Sequence, residues 1–147
     1  MEVINKKYGF RFEIPDDFVE IQEEDYEKYN FDLDSTVGVF VKLENGIPVS
    51  ISINRDAEAR NEKEYLDLIS LNLSNMETME MIVDQHIHHV NKHGRVDTIY
   101  SSFRGLKFAT YFTVIHQIMI ACSIEVHEIN DEHDKIVAAL FESIAEI

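Results

Sequence analysis

Hydrophobic and polar residues alternate along most of this chain, and a period of two is the pattern of half-buried β-strands. The alternation starts in residues 8–14, where every second position is aromatic or aliphatic. Residues 15–17, Pro-Asp-Asp, favour a turn because proline fixes φ and aspartate bonds its own backbone. A short strand over 18–21 is expected next, followed by an acidic loop or short helix that reaches Ser35.

A β-hairpin is predicted from residues 37–43 and 49–54, which both alternate. The residues between them include Asn45-Gly46, which is typical of a tight hairpin turn.

After Asn61, the spacing of the apolar residues changes from a period of two to the period of a helix. Asn61 can cap the free amides at its start, and Glu64 three positions later completes a capping-box pattern. The helix is expected to end near Asn75. Its apolar stripe consists of Leu66, Ile69, Leu73 and Met76, with Tyr65 and Leu68 beside it.

The rest of the chain predicts further strands and a second helix. The strands are expected over 78–90, 95–101, 106–115 and 117–127. A final helix begins near Asn130 or Asp131, where acidic side chains suit the positive end of its dipole. Its apolar stripe consists of Ile136, Leu140, Ile144 and Ile147, widened by Val137 and Phe141.

The order of these elements predicts an α+β fold. No strand–helix alternation recurs, so a doubly wound parallel sheet is not expected. We expect a mainly antiparallel sheet of about six or seven strands, packed by the central and the C-terminal helix. A chain of 147 residues fits a single domain, 1–147.

The opening segment carries a resemblance to a known family. Residues 8–18, YGFRFEIPDDF, form a glycine–aromatic strand that ends in a proline turn and a large aromatic residue. This segment resembles the start of Mog1/PsbP-like domains, and the order of the later elements is similar over essentially the whole chain. Phe18 stands where a tryptophan is common in that family. The resemblance implies an α/β/α sandwich.

What the resemblance implies about function is broad. One branch of the family is a luminal photosystem subunit, another binds a small nuclear GTPase, and others are bacterial lipoproteins or uncharacterised domains. No motif tied to an activity matches, so no functional residue is carried over to this chain. The resemblance favours binding over catalysis.

Charge and cysteine content narrow the expected partners and location. The 28 acidic and 13 basic residues give a formal net charge of −15, which repels nucleic acid and anionic membranes and favours basic partners. The single cysteine allows no intrachain disulfide, and the N-terminus lacks a signal-peptide or lipid-anchor pattern. We therefore expect a cytoplasmic protein without nucleic acid or membrane partners.

Acidic residues are concentrated between positions 20 and 34, where only Lys28 opposes them. One interpretation is a solvated surface, and the other is a docking surface for a basic protein. The candidate docking residues are Glu23, Glu24, Asp25, Glu27, Asp32 and Asp34.

A histidine cluster is the second candidate site. His86 and His88 would share one face of a strand about 6.6 Å apart, a spacing that suits two imidazoles on one zinc or nickel ion. His89 is the third candidate ligand, and Glu125 and His127 could contribute if their strand is the neighbour. The alternative interpretation is that these histidines are solvent-facing polar positions.

No other motif points to chemistry. Cys122 lies on the predicted apolar face of its strand, which favours packing over a nucleophilic role. The sequence has no nucleophile elbow or glycine-rich phosphate loop, and no cofactor is expected.

The sequence therefore predicts a small acidic protein that engages a basic protein and is more plausibly a binding domain than an enzyme. One alternative is a metal-binding protein or metal-dependent enzyme that uses His86, His88 and His89. Binding of a small ligand in a cleft between the sheet and a helix is left open.

Overall fold

A computed structural model describes the backbone of residues 1–147 and every side chain except that of Glu146. The strands are β1 Glu2–Asn5, β2 Phe10–Glu13, β3 Val19–Glu20, β4 Thr36–Glu44, β5 Ile47–Glu58, β6 Ile82–Asn91, β7 Gly94–Phe103, β8 Leu106–Ile115, β9 Ile118–Val126 and β10 Ala145–Glu146. The helices are α1 Glu62–Thr78 and α2 Asp131–Ser143. Short 3₁₀ turns occupy Glu23–Asp25 and Glu27–Tyr29.

The main sheet has seven strands in the order β3-β4-β5-β9-β8-β7-β6, and every neighbouring pair is antiparallel. A smaller sheet has the order β1-β2-β10. The predicted α+β class, with a mainly antiparallel sheet and two helices, is confirmed. No helix in the described part of the chain is long and apolar enough to cross a membrane.

The central strands of the main sheet carry buried residues on both faces, and the strand period separates the two cores. On β9, Cys122 and Ile124 pack in one cluster with Leu140 of α2, and this side of the sheet is called the α2 face. Met119 packs on the opposite side with Ile69 of α1, which defines the α1 face. Full burial of an aliphatic side chain contributes about 1.5–3 kcal/mol, so these two cores hold the layers together.

Each helix is also attached to the sheet by a tyrosine–aspartate hydrogen bond. On the α1 face, Tyr65 of α1 donates to Asp97 of β7 at 2.7 Å. On the α2 face, Tyr100 of β7 donates to Asp134 of α2 at 3.1 Å, and Tyr111 of β8 donates to the same carboxylate. These bonds supplement the apolar contacts with directional ones.

The predicted start of α2 is confirmed by its cap. The side chain of Asn130 accepts from the amide of His133 at 3.1 Å, and the imidazole Nδ1 of His133 accepts from the amide of Asn130 at 3.2 Å. Since Nδ1 accepts, the other ring nitrogen, Nε2, carries the proton and donates to Glu44, 3.2 Å away. His133 is buried, and the sequence pattern did not single it out.

Helix α1 begins as predicted but ends later. Asn61 caps the amide of Glu64 at 2.9 Å, whereas the carboxylate of Glu64 accepts from the amide of Arg60 instead of completing the capping box. The helix continues to Thr78, so the strand predicted from residue 78 begins only at Ile82. The left-handed residue Glu80, with φ of 62°, lies in the link that ends the helix.

Each predicted apolar stripe has one residue outside the core, while its other members are buried or pack against the core. Tyr65 and Ile69 are the buried residues of α1, and Leu66 is exposed. In α2, the helix ends at Ser143 and Ile147 is exposed, because the chain leaves the helix to form β10. Strands β1 and β10 were not predicted.

Candidate binding surface

The acidic segment, residues 20–34, is folded into two short 3₁₀ turns rather than an open loop. Its two 3₁₀ turns are anchored by Tyr26, which is only 3% exposed. Phe31 packs edge-to-face against Tyr26 with ring centroids 6.1 Å apart, and its amide donates to the carbonyl of Tyr26 at 2.9 Å. The backbone that carries the carboxylates is therefore held by aromatic packing.

The end of the acidic segment is tied to the turn between β1 and β2. Lys7 donates to the carbonyl of Leu33 at 3.2 Å, and the hydroxyl of Tyr8 donates to the carbonyl of Asp34. Within the segment, the carboxylate of Asp32 accepts from the amide of Asp34 at 3.0 Å and from the hydroxyl of Ser35 at 3.2 Å. Asp32 therefore shapes the turn with its side chain.

The other predicted docking carboxylates project into solvent. The structure shows exposed side chains at Glu23, Glu24, Asp25, Glu27 and Asp34. Lys28 lies over the ring of Tyr29, with its Nζ 5.4 Å from the centroid. Burial, and then the charge of Glu23, raise the pKa of Glu20, as expected beside a negatively charged surface. Whether these carboxylates bind a partner stays a prediction.

A cleft of about 530 Å³ lies beside the acidic segment, between α1 and the sheet. Its floor carries a row of hydroxyls, because the register places Ser52 of β5, Ser123 of β9 and Thr110 of β8 side by side on the α1 face. Ser123 donates to Thr110 at 3.1 Å. The apolar walls are formed by Phe31, Met76, Met79, Met81 and Phe108.

The sequence leaves this cleft open for a simple reason. Helix α1 covers the large apolar residues of the α1 face, which include Ile99, Phe112 and Met119. On β5 the same face carries the small polar residues Ser50 and Ser52, which offer no apolar surface for a helix to cover. The cleft is thus the part of the α1 face that α1 does not cover.

The cleft and the acidic segment meet at Phe31. Phe31 lines the cleft and also a second hollow, of about 650 Å³, that is surrounded by Glu23, Glu24 and Glu27. Glu125 adds a carboxylate to the cleft. The guanidinium of Arg55 also lies at the cleft, where it stacks 5.7 Å from the ring of Tyr8. The arrangement suits a ligand that combines positive charge with apolar groups.

The predicted metal ligands are divided between the two faces of β6. His86 and His88 lie on the α1 face opposite Ile99 and Asp97, whereas His89 lies on the other face opposite Val96. In the part of the chain that the structure describes, no three His, Cys, Asp or Glu residues are placed to hold a metal ion. Metal binding by these histidines stays a prediction, because the described residues of one chain do not supply a complete set of ligands.

Glu125 and His127 are too far away to complete such a site. Glu125 lies on β9, which is separated from β6 by β8 and β7, so the condition that these two strands are neighbours is not met. His127 follows the end of the same strand.

The sequence pattern did not predict the buried carboxylate of Asp97, which lies beside the histidines. Asp97 is fully buried, and its oxygens accept from Nε of Arg95 at 2.8 Å and Nε2 of His86 at 2.6 Å, in addition to Tyr65. Burial acts to raise the pKa of Asp97, but the hydrogen bonds from Arg95, Tyr65 and His86 outweigh it and hold the pKa below its usual value. The available signal was an aspartate within a predicted strand, two positions from Arg95 and therefore on the same face.

Comparison with solved structures identifies the architecture. The solution structure of cyanobacterial PsbP (CyanoP) from Synechocystis matches with a TM-score of 0.63 over 100% of this chain and 92% of that chain, at 12% identity. The chain has a PsbP-like fold. A crystal structure from Bacteroides thetaiotaomicron matches with a TM-score of 0.56 and 16% identity, over 99% of this chain and 48% of that one. The sequence matches no family model and no curated protein.

The PsbP-like architecture confirms the PsbP part of the resemblance found in the opening segment. The matches do not point specifically to Mog1. Identities of 12% and 16% show the fold alone, so residue roles are not transferred from these structures.

Proposed function

We propose that this protein is a non-enzymatic binding domain that recognises a basic, extended segment of a partner protein. The observation that supports this proposal is the position of Phe31, which lines both the open cleft and the hollow among the exposed carboxylates of the acidic segment. The carboxylates would attract the lysine or arginine side chains of the partner, and the cleft would receive its apolar side chains. The proposal includes a cytoplasmic location, which cell fractionation would test.

The chemistry of the cleft supports a mixed basic and apolar ligand. Methionine side chains adapt to different apolar shapes, and Met76, Met79 and Met81 line one side. The hydroxyls of Ser52 and Ser123 can donate to or accept from a peptide backbone. The packing of Tyr26 with Phe31 holds the acidic segment before binding, which reduces the ordering cost that a mobile loop would add.

The test uses a short peptide in which lysine alternates with leucine, and a second peptide with glutamate in place of lysine. We expect the purified chain to bind the lysine peptide and not the glutamate peptide. The variant E23Q/E24Q/E27Q should weaken binding about tenfold, since each exposed ion pair contributes roughly 0.2–1 kcal/mol. Fluorescence anisotropy of the labelled peptides measures both effects.

A matched variant separates the effect of local charge on binding from the effect of the overall charge. Glu2, Glu128 and Glu142 are also exposed and lie outside the acidic segment and the cleft. The variant E2Q/E128Q/E142Q removes the same charge, and its affinity should stay close to that of the natural chain. Equal weakening by both triple variants, or binding that is insensitive to added salt, would contradict the proposal.

A further inference from the structure

Strand β6 is a long and unprotected edge of the main sheet. It ends the strand order, and residues 82–90 are exposed on both of its faces. Its aliphatic side chains are included in this exposure, at 65% for Ile82 and 77% for Val90. An exposed edge strand presents unpaired backbone N–H and C=O groups that can pair with another strand.

The two edges of the sheet differ in how they are protected. The opposite edge, β3, is only two residues long, which leaves little backbone for another strand to pair with. Strand β6 has ten residues and contains no lysine or proline, the residues that commonly protect edges. A register shift between Val83 and Gln85 interrupts its regular geometry only near one end, so residues 85–91 pair regularly with β7.

Charge on this edge indicates which occupant suits it. The chain has a net charge of −15, yet Asp84 is the single carboxylate in β6, beside His86, His88 and His89. Two copies of the chain can therefore approach along β6 without opposing rows of carboxylates. A basic partner would be attracted more strongly to the acidic segment, which lies between β3 and β4 at the opposite end of the strand order.

The regular stretch also has a register that suits a two-fold axis. Its middle residue is His88, so antiparallel pairing about His88 would place Gln85 opposite Asn91 of the second copy, and Ile87 opposite His89. This register pairs residues separated by an even number of positions, so each pair lies on the same face of the sheet. Gln85 and Asn91 both carry amides, which can hydrogen-bond to each other.

We propose that two copies of this chain pair through β6, antiparallel about a two-fold axis at His88, and form one continuous sheet. Edge pairing of this length matches the small interfaces of weak complexes, so the dimer should dissociate on dilution. The dimer would leave the acidic segments free at its two far ends.

The first test is sedimentation velocity of the natural chain and two matched variants over a wide range of concentration. His88→Glu places two carboxylates opposite each other at the axis, and we expect the dissociation constant to rise about fivefold or more. His127→Glu introduces the same charge at an exposed position outside β6 and should leave the dimer unchanged. A natural chain that stays monomeric, or equal loss of dimer in both variants, would overturn the proposal.

The second test locates the axis by cross-linking. Mild oxidation of His88→Cys should give a disulfide-linked dimer, whereas Gln85→Cys should not, since residue 85 would lie several positions from its counterpart. The native Cys122 is fully buried, and burial raises its thiol pKa, so the natural chain should not cross-link. Efficient cross-linking at residue 85 with none at residue 88 would show that the register is wrong.

Discussion

Tyr65 on α1 donates its hydroxyl hydrogen bond to Oδ1 of Asp97 on β7 at a distance of 2.7 Å, and both residues are buried. The same helix carries Met76 and Met79, which line the cleft, so this bond helps to hold one wall of the proposed binding surface in place. Burial, followed by the hydrogen bond to Asp97, strongly raises the pKa of Tyr65, so the phenol remains the donor at neutral pH.

Removal of the Tyr65 hydroxyl should destabilise the fold without unfolding it. Tyr65→Phe keeps the ring but leaves Asp97 with one donor fewer, and we expect a loss of about 1–2 kcal/mol in the free energy of unfolding. Urea denaturation followed by circular dichroism measures this loss. Tyr29→Phe is the matched control, because Tyr29 is half exposed, and no change in its unfolding midpoint is expected. Equal midpoints for Tyr65→Phe and the natural chain would contradict the assigned role.

The ionised Asp97 should make stability depend on pH in the acidic range. Its folded pKa lies below the unfolded value of about 3.9, so its contribution is complete above the unfolded pKa and is lost as the pH falls through the folded pKa. The difference in unfolding free energy between the natural chain and Asp97→Asn should therefore be constant near neutral pH and shrink below about pH 4. Urea titrations across this range measure it, and a difference that grows on acidification would have the wrong sign.

Much of the fold was predictable because its signals are local. The strand over 106–115 has its predicted bounds, and the Asn-Gly turn joins β4 to β5. Strands β1 and β10 could not be predicted in the same way. Both pair with β2 and join the two ends of the chain, so their signal lies in contacts distant in sequence rather than in a periodic pattern.

The candidate surface was predictable only in part. The carboxylates of residues 20–34 are visible in the sequence because charge is a property of single residues. The cleft is not, since its hydroxyl row depends on the order in which β5, β9 and β8 are neighbours. The same holds for Asp97, whose partner Tyr65 lies 32 residues away on another element.

Filling the cleft floor should reduce peptide binding more than stability. Ser52 is half-buried at the β5 end of the hydroxyl row, and Ser52→Leu would occupy space that the apolar side chains of the ligand need. We expect affinity for the lysine–leucine peptide to fall about tenfold, or roughly 1.4 kcal/mol. Ser70→Leu, at an exposed position of α1, should leave the affinity unchanged in the same anisotropy assay. Unaltered binding by Ser52→Leu would place the peptide outside the cleft.

Backbone amide chemical shifts report directly where a basic peptide binds to this protein. Titration of the isotope-labelled chain with the lysine–leucine peptide should shift amides of the acidic segment together with those of Ser52 and Ser123, and leave the amides of α2 unchanged. Shifts confined to α2 or to β6, or no shifts at peptide concentrations that saturate the anisotropy signal, would contradict the proposed binding surface.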